Sequence, residues 1–64
     1  MRLEDKLRYV DALARQYRNI PDDSGMTNWD RFRLAVARQA IRNRVRSIAG
    51  RHDEVWWRFV NRID

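Results

Sequence analysis

The chain has 64 residues, of which 14 are Lys or Arg, nine are Asp or Glu and none is Cys, for a formal net charge of +5. A chain of this length buries only about 60% of the surface that its unfolded form exposes, so it supports one marginal core. These figures exclude a disulfide framework, a thiolate metal site, a cysteine nucleophile and a large catalytic scaffold. The charged start of the chain and the lack of a long apolar run predict neither a signal peptide nor a transmembrane segment, so we expect a cytoplasmic protein.

Residues 3–19 show the spacing of an amphipathic helix. Apolar residues recur there every three or four positions, which places them on one helical face. The following residues, 20–27, include Pro21, paired Asp and Gly25, a composition that predicts a loop. The apolar face of this first helix comprises Leu3, Leu7, Val10, Leu13, Ala14 and Tyr17.

A long second helix is predicted over residues 28–49. Thr27 and Asp30 are spaced as in a capping box, with Asp in place of the usual Glu or Gln. Gly50 supplies the left-handed residue that commonly ends a helix. The apolar residues of this helix form two bands, one of Trp29, Phe32, Val36 and Ala40 and the other of Leu34, Ala37, Ile41, Val45 and Ile48.

A third, short helix is predicted over residues 53–63. Asp53 and Glu54 suit its first turn, because acidic side chains interact favourably with the positive end of the helix dipole. A β-strand over residues 55–60 is the alternative, but an isolated strand would have no partner to pair with. The apolar face of the third helix comprises Val55, Trp56, Phe59, Val60 and Ile63.

The predicted fold is all-α, a single domain over residues 1–64 built as a small three-helix unit with a long central helix. Two apolar bands on the central helix suggest two neighbours, with the first helix on one band and the third helix on the other. Homodimerisation through one band is the alternative, since it would complete a small core. In either arrangement Trp29 and Trp56 are expected in the core, and Arg33 and Arg44 extend their stems between the bands.

The positive charge is concentrated on the predicted second helix. Residues 31–51 contain seven Arg and no acid, whereas residues 1–30 and 52–64 each carry one more acid than base. At about 100° per residue, four of these arginines fall within a sector of about 80°, and the outer two lie about 22 Å apart along the axis. This length can follow several phosphates or a run of carboxylates. We call these four residues the arginine stripe: Arg31, Arg38, Arg42 and Arg46.

We expect the arginine stripe to have an acidic neighbour, because its like charges repel one another. Like charges spaced four residues apart cost an isolated helix a few tenths of a kcal/mol, on the order of what an opposite-charge pair contributes. A bound polyanion would offset this repulsion. The Asp and Glu residues of the chain itself, or those of a second copy, are the alternatives, and a solvated helix face without a role is the simplest interpretation.

A second contact surface is predicted on the third helix. Trp57 points away from the apolar face of that helix and lies near Arg58, Asn61 and Arg62 in the helical projection. Exposed Trp and Arg dominate binding energy at many interfaces, although a core position for Trp57 is equally open. A helix-turn-helix arrangement would make this helix the recognition element, but the length and the charge of the second helix argue against it.

No catalytic or metal site is expected. His52 and the two acids that follow it form the only cluster resembling acid–base machinery, and a helix stop followed by an acidic helix start accounts for all three. Asp22, Asp23 and Asp30 lack the spacing of a calcium loop. We therefore expect neither an enzyme, nor a cofactor, nor a small-molecule substrate.

The sequence favours a small basic regulatory protein that binds nucleic acid, DNA or RNA, through the arginine stripe. Contacts to phosphate would dominate, with Trp57, Arg58 and Arg62 as a second surface. The first alternative is an adaptor or inhibitor that docks its Arg and Trp surface on an acidic patch of a larger protein complex. The second alternative is a binder of anionic membrane surfaces, because Arg and Trp on amphipathic helices suit anionic lipid.

Overall fold

The computed structural model describes residues 1–21 and 25–64. It contains three helices: α1 (Leu3–Arg18), α2 (Asn28–Ala49) and α3 (Asp53–Ile63). The prediction of an all-α, three-helix unit with a long central helix is confirmed, and the strand alternative for residues 55–60 is wrong because they are helical. Asp22, Asp23 and Ser24, which include two of the acids considered as cation ligands, lie outside the described residues.

Both ends of α2 are held by specific contacts. At the start, the amide of Asp30 donates to Oγ1 of Thr27 at 3.2 Å, and that hydroxyl donates to Oδ2 of Asp30 at 2.9 Å. At the end, Gly50 adopts a φ of +55°, which only glycine takes without strain. Nζ of Lys6 donates to the carbonyl oxygen of Ala49 at 3.4 Å and lies 3.1 Å from Nδ1 of His52. The junction between α2 and α3 is therefore tied to α1.

The core lies where all three helices meet. Phe59 is fully buried, and its ring meets Tyr17 edge-on at 5.6 Å and Trp56 at 5.8 Å. The contact between α1 and α3 is the most extensive of the three helix pairs. None of the helices in the described ranges is long and apolar enough to cross a bilayer. The buried core residues are Val10, Leu13, Ala14, Val45, Ala49, Val55 and Phe59.

Only one apolar band of α2 is buried, so the two-neighbour arrangement predicted from the sequence is wrong. Helices α1 and α3 pack against each other and share the band that contains Val45. One joint core removes more apolar surface from water than two separate two-helix contacts would. The other band faces solvent, with Trp29 66% exposed, Phe32 60% and Val36 52%. Trp29 is thus not a core residue, whereas Trp56 is half-buried against the core.

The N-terminal half of α2 projects beyond the core. No residue of 28–37 is buried, while Val45 and Ala49 are the buried residues of this helix. Helix α2 has 22 residues against 16 in α1 and 11 in α3, so the shorter helices cover only part of its length. The described residues accordingly extend 41 Å along one axis and only 17 Å and 14 Å along the others. We call residues 28–37 the overhang.

Candidate nucleic-acid interface

The arginine stripe runs along the side of α2 that borders the other two helices. Arg38 donates from Nη2 to the carbonyl oxygen of Pro21 at 3.0 Å. Arg42 donates from Nη2 to the hydroxyl of Tyr17 at 2.9 Å, and its guanidinium carbon lies 5.5 Å from the centre of that ring. These contacts orient two of the stripe guanidinium groups without neutralising them, because both partners are uncharged.

Arg46 also packs on an aromatic ring, as Arg42 does on Tyr17. Its guanidinium carbon lies 4.8 Å from the centre of the Trp56 ring, within the distance at which the electron-rich ring face attracts a cation. The side chain remains exposed. A planar guanidinium resting on an indole keeps its N–H groups available at the edge for a phosphate or a carboxylate.

Within residues 1–21 and 25–64, no carboxylate forms an ion pair with Arg38, Arg42 or Arg46. The ion pairs in that part of the chain link α1 to α3 instead. Arg31, the remaining member of the arginine stripe, is exposed on the overhang, about two turns before Arg38. The stripe therefore spans both the packed half and the projecting half of α2.

The residues of the second predicted surface lie together on α3, but both of its arginines form ion pairs with Asp11. Arg58 donates from Nε and Nη2 to the two carboxylate oxygens of Asp11, both at 2.9 Å, and Nε of Arg62 lies 3.1 Å from Oδ1 of the same residue. The hydrogen bond from Arg58 is the main cause that lowers the pKa of Asp11 below its ordinary value, and the charges of both arginines add to it. Much of the positive charge at this surface is consequently offset by one carboxylate.

Trp57 lies between two shallow clefts and connects the two surfaces. Its side chain is 59% exposed. One cleft contains Arg46 of the arginine stripe together with Trp56 and Asp53 at the junction of α2 and α3. The other is lined by Leu7, Glu54, Trp57, Arg58, Asn61 and Arg62. A ligand that follows the arginine stripe toward the end of α2 would therefore meet the indole of Trp57.

Two features were not predicted from the sequence. One is the contact of Arg42 and Arg46 with aromatic rings, and the other is the exposure of one apolar band of α2. Tyr17 and Trp56 belong to apolar faces, and periodicity gives no sign that each also holds an arginine. Trp29 and Phe32 were predicted to be covered, yet the unequal helix lengths were a signal that part of α2 would remain without a neighbour. In the described part of the chain, no three His, Cys, Asp or Glu residues cluster as metal ligands would.

Comparison of the chain with protein-family models, with curated proteins and with solved structures gives no match. The candidate interface is therefore defined by the geometry of this chain alone. Its components are a positive face on α2, neutral groups that orient three of its arginines, and an exposed Trp at one end.

Proposed function

We propose that the protein is a non-catalytic binder of nucleic acid that contacts the phosphate backbone through the arginine stripe. The observation that carries the proposal is the state of Arg38, Arg42 and Arg46, which are oriented by a carbonyl, a phenol and an indole and form no ion pair with residues 1–21 or 25–64. Seven arginines without an acid over residues 31–51 give a field that attracts polyanions in particular.

The spacing of the arginine stripe suits a backbone contact. Residues four apart on a helix are separated by about 6 Å along its axis, so Arg38, Arg42 and Arg46 form a short row. A nucleic acid that binds such a row releases condensed counterions, which makes the affinity fall steeply with salt. Phosphate contacts carry no sequence information, so we expect little discrimination between sequences.

Trp57 extends this surface. An exposed indole beside arginines can stack on an unpaired base, which contributes about 1–3 kcal/mol per base in single-strand binders. We therefore expect single-stranded or frayed nucleic acid to be preferred over a blunt duplex. Arg58 and Arg62 contribute less than the arginine stripe, because Asp11 already occupies them.

Fluorescence anisotropy with a labelled duplex and a labelled single strand tests the proposal. The test variant carries Arg31→Gln, Arg38→Gln, Arg42→Gln and Arg46→Gln. The matched control has the same loss of charge on α1 and at the residue just before it, through Arg2→Gln, Arg8→Gln, Arg15→Gln and Arg18→Gln. Each lost phosphate contact reduces the slope of log affinity against log salt by about 0.9 on a duplex.

We expect the stripe variant to lose about 3.6 units of that slope, which is four contacts at about 0.9 each, and at least tenfold in affinity at low salt, whereas the control retains most of both. Equal binding by the stripe variant and the wild type would overturn the proposal. An acidic protein surface is the alternative occupant, because a carboxylate fits the same guanidinium geometry as a phosphate. A stoichiometric protein complex that survives nuclease and is lost in the stripe variant would assign the stripe to that alternative.

A further inference from the structure

The overhang of α2 presents an apolar surface that the fold leaves uncovered. Trp29, Phe32 and Val36 are each more than half exposed. The rings of Trp29 and Phe32 stack on each other, with centres 6.0 Å apart and planes 25° apart. Scattered single apolar residues on a surface are ordinary, but a contiguous patch with two large aromatic rings marks a contact site. We call these three residues the aromatic band.

No described part of the chain is placed to cover the aromatic band. At about 100° per residue, the band points away from Ile41 and Val45, which face α1 and α3. The tertiary contacts of α2 thus lie on the opposite side of the helix. A partner that covers the band must approach from the solvent side.

Charge indicates the chemistry of that partner. Arg33 is exposed and lies along one edge of the aromatic band. Arg44, also exposed, continues that edge about 12 Å beyond Val36 along the helix axis. Asp30 lies about a quarter turn or more away from the band and is hydrogen bonded to Thr27. The band is therefore an apolar strip with a positive edge, and its complement is an apolar strip with an acidic edge.

We propose that the aromatic band is a docking surface for an acidic amphipathic helix of another protein. The three residues of the band lie at positions i, i+3 and i+7, which is the spacing of the contact residues when two helices pack side by side. A second copy of this chain fits the charge poorly, because a symmetric contact would bring one set of arginines against another.

The length of the aromatic band also favours a helix over a bilayer. The apolar residues span about 10 Å of the helix axis, from Trp29 to Val36. Beyond them the same side of α2 turns polar, and Nε2 of Gln39 donates to Oδ1 of Asn43 at 3.0 Å. A membrane-surface helix needs an apolar face along most of its length, whereas two turns are enough to anchor a short helix.

This proposal is independent of the one for the arginine stripe, because the two use different sides of α2. Fluorescence anisotropy of a labelled, three-turn amphipathic peptide with Leu on one face and Glu along both edges tests it. Two control peptides replace either every Leu with Ser or every Glu with Lys. The protein variants are Trp29→Gln combined with Phe32→Gln, and Val36→Gln alone, with Tyr9→Gln as the control for an exposed aromatic side chain on α1.

None of these variants changes the net charge, so general attraction between a basic protein and an acidic peptide is preserved in all of them. We expect the double variant to bind the Leu/Glu peptide at least tenfold more weakly and Val36→Gln to bind it several-fold more weakly. Tyr9→Gln binds as the wild type does, and both control peptides bind weakly. Wild-type affinity in the double variant, or no binding of the Leu/Glu peptide to the wild type, would overturn the proposal.

Three parallel measurements identify a different occupant. Sedimentation equilibrium that finds a wild-type dimer and a monomeric double variant would assign the aromatic band to a second copy. Binding to vesicles of anionic lipid, or to a single-stranded oligonucleotide, that is lost in the double variant would assign it to that ligand instead. Each of these results would contradict the proposal, and circular dichroism confirms that the variants remain helical.

Discussion

The two phenylalanines of the chain lie on apolar helix faces, but only one of them is expected to matter for stability. Phe59 is fully buried and in contact with two aromatic rings, whereas Phe32 is 60% exposed and in contact with one. Truncating each to Ala removes the same atoms from the same residue type. The pair of variants therefore isolates the effect of the surroundings.

For Phe59→Ala we expect a loss of about 3–5 kcal/mol, the usual cost of deleting a buried phenyl ring and leaving a cavity. At about 0.05–0.15 kcal/mol per residue, a chain of this length has only about 3–10 kcal/mol of stability in total. The variant is thus mostly unfolded or close to it. Phe59→Leu retains most of the volume but loses two aromatic contacts of about 0.5–1.5 kcal/mol each, so it falls between the wild type and Ala.

For Phe32→Ala we expect a change of at most about 1 kcal/mol, because only the stacking on Trp29 is lost. Ala also has the higher helix propensity, which offsets part of that loss. Urea denaturation followed by far-ultraviolet circular dichroism measures all three variants. A Phe32→Ala midpoint as low as that of Phe59→Ala would refute the placement of the overhang in solvent, and a midpoint that depends on protein concentration would point to self-association.

Three further predictions concern single contacts. Because its pKa is lowered by Arg58, the Asp11 carboxylate stabilises the fold above the ordinary Asp pKa, near 3.9, and this contribution is lost as pH falls through the lowered value. Asp11→Asn should therefore lower the urea midpoint at pH 7 while the gap to the wild type closes toward pH 2; a gap that persists there would contradict the assignment. Thr27→Ala removes a cap worth about 1 kcal/mol and should speed amide exchange in the overhang but not around Val45; faster exchange at both places would mean that the two halves of α2 unfold together. Gly50→Ala should cost about 1–3 kcal/mol, because a φ of +55° with a ψ of −113° is a conformation that L side chains rarely adopt, while the new Cβ would meet only Nζ of Lys6 at 3.7 Å; a thermal melt with an unchanged midpoint would show that this backbone geometry relaxes freely.

The helices could be predicted from sequence because their signals are local. The side-chain cap at Thr27, the glycine at position 50 and the apolar spacing of α1 each act within a few residues, and the structure contains all three features. The carboxylate of Asp30 accepts from the Thr27 hydroxyl and not from its backbone amide, so the second half of the predicted capping box is replaced. Which apolar band of α2 is covered depends on how α1 and α3 pack on each other. Trp29 and Trp56 therefore looked alike in sequence, although one is exposed and the other contacts the core.

The electrostatics of the candidate site were predictable only in part. That the arginine stripe lies on one side of α2 follows from helical spacing. The pairing of Arg58 with Asp11 joins residues 47 positions apart, and helical periodicity carries no information about such contacts. The same is true of Arg42, whose partner Tyr17 lies on another helix. These contacts decide how much positive charge each surface retains.

The dominance of the contact between the first and third helices has a consequence for how the chain reaches its native state. Val55 and Phe59 supply the centre of the core, so no native-like core exists until residues 53–63 have been synthesised. We therefore expect the folding rate to be set by the formation of the contact between α1 and α3, which closes a long loop of chain. A ribosome-bound fragment that stops before residue 53 should remain sensitive to protease, with only fluctuating helices.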